Sequence, residues 1–258
     1  MAHRDSTVDA YAGLADHYHL IYSDWHAAMR QQAAALEGLI RDALGPGPRA
    51  VLDASCGIGT QALGLAQLGH RVHGTDLSRA QVRRARREAA ALGVAAIFGV
   101  ADMRALGQTV DGAFDVVLSA DNAIAHLLTD EDLAAAFGGM RARLCRGGLL
   151  VVSVRDYDAM LAARPRTGTP TVFDGPDGRR VRLSVFDWDD GADTYLTNVF
   201  LVRRAASGWS TLHWSARSRG WRRAQVEEAV SSAGLLDARW WTPEESGFFQ
   251  QLVTARAP

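Results

Sequence analysis

A short apolar run, Ala50-Val-Leu-Asp53, leads into the small-residue loop Ala54-Ser-Cys-Gly-Ile-Gly59 and then into the helical stretch Thr60 to Leu68. This segment restricts the fold more than any other. A strand that must reverse into a helix within six residues needs glycine, because only a residue without Cβ turns sharply at no steric cost and lets a ligand approach the backbone. The same cadence then repeats. Arg71 to Asp76 reads as a strand, Ser78 caps a helix running to Leu92, and Gly93 closes it. Ala95 to Val100 and Phe114 to Ser119 read as strands, and Thr129 caps a helix to Leu144. Gly147-Gly148 reads as a turn before a fifth strand, Leu149 to Val154. Strands alternating with helices imply a parallel sheet covered on both faces. Ligands of such sheets bind beyond the carboxyl ends of the strands.

The flanks read differently. Asp9 to Leu44 is helical in pattern, with Tyr18, Ile21, Tyr22, Trp25 and Met29 at helical spacing, and Gly45-Pro-Gly-Pro48 ends it. Between Pro165 and Ser218 the turn signals Asp174-Gly-Pro-Asp-Gly178, Asp190-Gly191 and Ser207-Gly208 separate alternating segments, Arg180 to Trp188, Thr194 to Arg203 and Trp209 to Arg217. These predict an antiparallel meander with one polar face. A helix follows from Arg223 to Ala233, ended by Gly234, and then two strands, Leu236 to Trp241 and Phe248 to Ala255. The expected division is a helical cap over 1–48, a ligand-binding α/β domain over 49–164 and 219–258, and an inserted antiparallel lid over 165–218.

Charge and cysteine usage narrow the partners. All 28 basic residues are arginine, against 29 acids, for a net charge of -1. Without lysine there is no Schiff base and no Walker phosphate loop. Near-neutrality argues against a protein that coats nucleic acid or an anionic membrane. The run Arg79, Arg83, Arg84, Arg86, Arg87 therefore reads as a solvated helix face. Cys56 and Cys145 give no disulfide framework, and the N-terminal residues lack an apolar core of signal-peptide length, which points to the cytoplasm. Histidines and cysteines show no metal-ligand spacing.

The chemistry concentrates at the strand ends. Asp53 ahead of the glycine turn favours an amine-bearing ligand over bare phosphates. Asp76 stands where a ribose diol would be held, and Asp102 with Met103 can meet an adenine by hydrogen bond and packing. Gly57-Ile-Gly-Thr-Gln-Ala62 also satisfies a G-x-G-x-x-A dinucleotide fingerprint. Asp53, the long helical segment before the first strand, and the hairpin-like final strands favour S-adenosylmethionine.

On these residues the chain resembles class I S-adenosylmethionine-dependent methyltransferases. Tyr18-His-Leu-Ile-Tyr22 with Arg30, Asp121-Asn-Ala-Ile-Ala-His126-Leu and Val154-Arg155-Asp-Tyr-Asp158 narrow the resemblance to the glycine/sarcosine N-methyltransferases. It implies a Rossmann-like, doubly wound, mostly parallel seven-stranded sheet with an N-terminal helical segment and an inserted antiparallel lid. It further implies that Gly57 and Gly59, with Asp53 and Ala54 beside them, line the methionine part of the cofactor. Asp76, with Leu77, would hold the ribose, and Asp102 with Met103 the adenine. Arg30 would pair with the methionine carboxylate, Tyr22 would close over the sulfonium, and Ala120 to Asn122 would face the reacting methyl. Arg155 would grip an acceptor carboxylate, with Tyr18, Tyr157 and Trp214 around it.

His126 is the one histidine near the expected transfer centre and a candidate general base, and Tyr22 is the second candidate catalytic residue. His213 and Trp214 stand where the resemblance leads one to expect a tyrosine-rich strand, so a larger or aromatic acceptor fits as well as glycine. Two or three of Trp188, Tyr195, Trp209, Trp214 and Trp221 are expected to face the acceptor. The expected activity is methyl transfer to a small amine or amino-acid-like compound. Alternatives are O- or C-methylation in secondary metabolism, a nicotinamide-dependent oxidoreductase, and a non-catalytic cofactor-binding subunit. The resemblance also leaves room for homo-oligomers built through the N-terminal segment.

Overall fold

The structure is a computed structural model, and it describes residues 11–205 and 208–258. Asp9, Ala10 and Ser207, included in the expected helix and turn, lie outside the described residues. The strands are β1 (Ala50–Asp53), β2 (Arg71–Asp76), β3 (Ala96–Val100), β4 (Phe114–Ser119), β5 (Leu144–Val154), β6 (Thr171–Gly175), β7 (Gly178–Trp188), β8 (Thr194–Ala205), β9 (Gly208–Arg219), β10 (Leu236–Trp241) and β11 (Gln251–Arg256). The principal helices are α1 (Trp25–Leu44), α2 (Thr60–Gln67), α3 (Arg79–Leu92), α4 (Asp130–Arg143), α5 (Tyr157–Ala163) and α6 (Arg223–Ser232).

The main sheet has seven strands in the order β10-β11-β5-β4-β1-β2-β3. β11 runs antiparallel to both neighbours, while β1, β2, β3, β4 and β5 pair in parallel. Strand interiors read as continuous apolar runs because both faces are covered. Val51, Val116 and Val151 face α1, α2 and α3, where they meet Met29, Leu36, Leu63 and Val82. Their neighbours Leu52, Val117 and Val152 face α4 and α6, against Phe137, Met140, Trp221 and Val226. One-residue alternation along each strand thus feeds two separate cores. α1 lies close on α2: a Cβ at Gly64 would sit 2.7 Å from Ala33 Cβ and 2.8 Å from the Met29 carbonyl.

Two sequence expectations change. Gly147-Gly148 is not a free turn but part of a long β5, whose pairing with β4 shifts register between Phe114 and Val116. The N-terminal segment is not one helix. Tyr18–Ile21 is a single 3-10 turn, Tyr22 is extended, and α1 starts afresh with Asp24 as its cap, accepting the Ala27 amide at 3.0 Å. The break is held from the lid. Arg180, fully buried, donates to the carbonyls of Leu20 (3.1 Å), Tyr22 (2.8 Å) and Ser23 (3.2 Å). Those carbonyls have left the helix and need donors. The break therefore depends on a residue about 160 positions away, beyond the reach of a local pattern.

β6 to β9 form a separate four-stranded antiparallel sheet in sequential order. Its register puts Arg182, Ser184 and Phe186 of β7, Thr197 and Val199 of β8, and Trp214, Ala216 and Ser218 of β9 on one face. That face roofs a cavity above the carboxyl ends of β4 and β5.

Candidate active site

The strand order reverses between β1 and β4, and the loops leaving β1, β2, β3 and β4 converge there. They line a first cavity, with Ala54, Ser55 and Gly57 from the first loop and Asp76, Leu77 and Ser78 from the second. Ala101 to Arg104 come from the third, and Ala120, Asp121, Ala123 and His126 from the fourth. Tyr11 and Tyr18 of the N-terminal segment complete the wall.

The first loop is shaped by its glycines. Gly57 has φ +53 and Gly59 φ +96, and a Cβ on Gly59 would strike Leu63 at 2.9 Å. A Cβ on Gly57 would meet nothing within 4 Å, so that backbone faces open space in the cavity. Asp76 ties the first two loops together by accepting the amides of Gly57 (2.9 Å) and Ser78 (2.8 Å). Burial pushes its carboxyl up, against those two hydrogen bonds. Each oxygen keeps a lone pair for a ligand. Ser78 heads α3, yet its hydroxyl makes no cap bond and is buried without a partner.

Asp53 is fully buried, with burial raising its carboxyl to about 7 against backbone hydrogen bonding, chiefly from the Ser55 amide. Its Oδ2 has no partner, and Asp53 does not line the cavity wall. Asp102 lines the cavity but is gripped by Arg104, with Nη2 2.6 Å from Oδ2. Burial pushes Asp102 up, and the Arg104 hydrogen bonds outweigh it, leaving the carboxyl below its ordinary range. Met103 lies on the wall, and Leu77 offers a 38% exposed apolar side chain there.

A second cavity, about 630 Å³, adjoins the first. Tyr11, Tyr18, Asp121 and His126 line both. Asp121 and its neighbour Asn122 follow β4 with φ of 56° and 62°. Consecutive left-handed residues persist only where surroundings enforce them, and such strain concentrates at functional sites. Here the enforcement is visible. The Asn122 amide donates to Ser153 Oγ (3.2 Å), its Nδ2 donates to Tyr157 Oη (2.9 Å), and its Oδ1 accepts the Arg155 amide (3.1 Å). Tyr157 in turn bonds Tyr195 at 2.9 Å.

Asp121 is turned into the seam between the cavities. Its Oδ2 accepts from Tyr18 Oη (2.7 Å) and Tyr22 Oη (3.2 Å). Burial raises the Asp121 carboxyl, against the Tyr18 bond and the nearby charges of Arg155 and Arg182. Both tyrosine hydroxyls are pushed well above their ordinary value by burial and by Asp121, so they are donors at any physiological pH. Arg155 and Arg182 line the second cavity, and neither makes an ion pair among the described residues. Arg155 is exposed and lines the cavity. Arg182 donates to the Ile21 carbonyl (3.3 Å) and stacks over Phe173.

Other expected residues fall elsewhere. Arg30 is exposed on α1 and lines neither cavity, because the cavity-facing positions there are Ala28, Gln31 and Gln32. Tyr157 is buried beneath the site as a strut for Asn122 and lines neither cavity. Asn122 lines the second cavity, not the first, with its amide already engaged. His126 Nδ1 lies 3.1 Å from the Arg217 carbonyl, so it carries the proton, and Nε2 accepts from Tyr11 Oη at 3.0 Å. Both ring nitrogens hold structure in this arrangement. Of the five named aromatics only Trp214 lines the second cavity. Trp221 and Tyr195 are core, Trp188 packs on Tyr195, and Trp209 is more than half exposed. Phe173, Phe186 and Phe249 line the cavity instead. His213 is on the lid's outer face, bonded to Asn198 and stacked on Phe200.

Tyr11, Ser78, Gln81 and Arg182 line the cavities without having been expected there, and within the expected span Ala120 to Asn122 it is Asp121 that turns into the seam. The only local signal was Asp-Asn directly after a strand end, two residues that tolerate left-handed backbone.

Residues 51–148 match a methyltransferase domain family. The chain is 30% identical to a glycine/sarcosine N-methyltransferase of Parasynechococcus marenigrum over 156 residues, 60% of this chain and 54% of the relative. It spans about half the length of that curated relative. In fold it is similar to Streptomyces venezuelae DesVI, with a TM-score of 0.79 and 21% identity over 93% of this chain and 97% of that one. It is also similar to the sugar N-methyltransferase KedS8 of Streptoalloteichus sp, with a TM-score of 0.72 and 22% identity over 93% and 92%. The α/β architecture with an antiparallel insertion is thus that of Rossmann-like methyltransferases, as the sequence motifs imply.

Proposed function

We propose that this chain is an S-adenosylmethionine-dependent methyltransferase acting on the nitrogen of a small acceptor. The first cavity carries the cofactor half of the reading. Ser78 Oγ and Gln81 Oε1 are buried there without partners, Gly57 presents open backbone, and Asp76 offers carboxylate lone pairs. These groups fit a nucleoside with a diol and an amine. Asp76 would take the ribose, Leu77 and Met103 would pack on the adenine, and Gly57 with Ala54 would line the methionine part. When bound, the cofactor supplies an electrophilic methyl on a sulfonium.

One observation carries the choice of nitrogen: the Asp121 carboxylate at the seam of the two cavities, its Oδ2 fixed by two tyrosines and its Oδ1 without a hydrogen bond among the described residues. Oδ1 can accept an N–H of the acceptor, aim the lone pair toward the first cavity, and take up the proton as the amine is spent. A raised carboxyl suits that exchange. Tyr18 and Tyr22 keep the oxygen oriented, and His126 holds Tyr11 in the wall. Positioning two reactants in a closed site supplies the greater part of the rate enhancement. Arg155 and Arg182, unpaired beside a single acid, favour an acceptor that also bears an anionic group. The volume and the aromatic wall of Phe173, Phe186 and Trp214 suit an acceptor larger than glycine.

The test is an acceptor screen with methyl-deuterated S-adenosylmethionine, pairing acidic amines with their neutral counterparts and reading the labelled atom by fragmentation. Label on nitrogen, with the acidic partners preferred, supports the reading. Label on oxygen or carbon overturns the assignment of Asp121.

A further inference from the structure

The N-terminal segment 11–22 supplies Tyr11, Tyr18 and Tyr22 to the acceptor cavity, yet little of it is core. Besides its tyrosine bonds to His126 and Asp121 and the Arg182 bond to Ile21, it is pinned at three places. Arg180 holds its end through the carbonyls of Leu20, Tyr22 and Ser23. Arg84 and Arg87 of α3 hold its middle at Asp16, one through the backbone carbonyl and one through the carboxylate, on an exposed surface. The third pin is Gln81, also on α3, whose Nε2 donates to the Tyr11 carbonyl at 3.0 Å.

Gln81 differs from the other two. Its side chain is 2% exposed and lines the first cavity. The bond to a carbonyl fixes the amide orientation, since only the NH2 end can donate. The oxygen therefore faces the other way, and it is a buried acceptor without a partner. An orphaned buried acceptor is costly, so a ligand that brings a hydrogen there gains by it.

The geometry points to Gln81 as a positioning residue that passes cofactor occupancy to the acceptor cavity. This rests on the cofactor reading above. A hydroxyl or amine hydrogen of the bound nucleoside satisfies Oε1 and locks the amide. The locked amide then holds Tyr11, and through it the His126 contact and the wall shared by both cavities. The acceptor site is complete only after the cofactor has entered, which imposes cofactor-first binding.

Hydrogen exchange of the full chain tests this, with S-adenosylhomocysteine as the probe and its affinity for each protein measured separately by calorimetry so that all are compared at saturation. In the parent, the probe should slow exchange of the His17, Leu20 and Tyr22 amides, which bond within the segment, about tenfold. In Gln81→Met the probe binds more weakly, and at saturation the slowing is lost. Gln81→Glu keeps an acceptor oxygen and the shape but turns a carboxylate toward the Tyr11 carbonyl, so the slowing is lost there too. Ser78→Ala removes another unpaired cavity group that does not touch the segment. It should weaken the probe while leaving the slowing intact at saturation. Slowing in the Gln81 variants equal to the parent's overturns the proposal. Calorimetry showing no binding of the probe to the parent overturns the cofactor reading itself. A panel of 2'-deoxy, 3'-deoxy and purine-riboside analogues identifies the donor: the one whose binding is insensitive to Gln81→Met lacks the hydrogen that Oε1 receives.

Discussion

Replacing Arg180 by methionine should unfold the seam between lid and N-terminal segment more than any surface change could. The guanidinium is fully buried and makes four donations, to Leu20, Tyr22, Ser23 and Gly178, the last at 3.1 Å. Its acid neighbour is Asp177 at 3.7 Å, itself partly exposed. Methionine keeps much of the volume and the contact with Phe173 but offers no donor. Three segment carbonyls then lose their partner, at about 1–3 kcal/mol for each that stays dry. Removing the buried cation also removes its desolvation cost, which offsets part of that loss. The net expectation is about 3 kcal/mol. For a chain of this size that lowers the melting temperature by about 6–12 °C. Differential scanning calorimetry with urea unfolding measures it, and Asp177→Asn serves as control, expected to cost less because Asp177 is partly exposed and 3.7 Å from the guanidinium, which keeps its four carbonyl bonds. If Arg180→Met unfolds within about 0.5 kcal/mol of the parent, Arg180 does not hold the segment.

Burial raises Asp53 from 3.8 to about 7, so the folded chain keeps a proton that the unfolded chain releases. Its stabilising share is therefore complete below about pH 4 and is lost as pH rises to about 7. Urea midpoints should fall more steeply across that window in the parent than in Asp53→Asn, and equal slopes would refute the assignment. Asp76→Ala removes the acceptor for the Gly57 and Ser78 amides and should weaken S-adenosylhomocysteine by about 10–100-fold in calorimetry, whereas Arg30→Ala should leave it unchanged. A large loss on Arg30→Ala would mean that α1 moves to bring this exposed side chain to the ligand. Arg155→Gln should raise the Michaelis constant of an acidic acceptor without changing cofactor affinity, and unaltered acceptor kinetics would return Arg155 to the background of solvated arginines.

The sheet was legible because its signals are local. β1 and the Gly57-Gly59 turn follow from an apolar run and the φ > 0 that only glycine adopts freely, and the capping oxygen of Thr129 accepts the Asp132 amide where α4 begins. Alternation along β7, β8 and β9 likewise marked the lid. The acceptor side was legible only in part: Tyr18, Arg155 and Trp214 line the second cavity, but the residues that act through distant partners could not be read locally. Tyr18 and Tyr22 look like one helical face until Arg180 breaks that helix from the lid. Tyr157 looks like a pocket aromatic until Asn122 claims its hydroxyl. Arg84 and Arg87 look like solvated charge, and α3 uses both to hold Asp16. Residue type predicted a role, and the long-range hydrogen bond decided it.

Asp121→Asn is the most direct test of a two-cavity N-methyltransferase. The change keeps the shape and an oxygen for Tyr18 and Tyr22 but cannot take a proton from an amine. Steady-state rates with the acceptor found by isotope transfer, together with calorimetry of S-adenosylhomocysteine, should give cofactor affinity within about twofold of the parent and a turnover lowered about a hundredfold or more. Turnover equal to the parent's at unchanged cofactor affinity would contradict the central claim that the seam carboxylate receives the acceptor nitrogen.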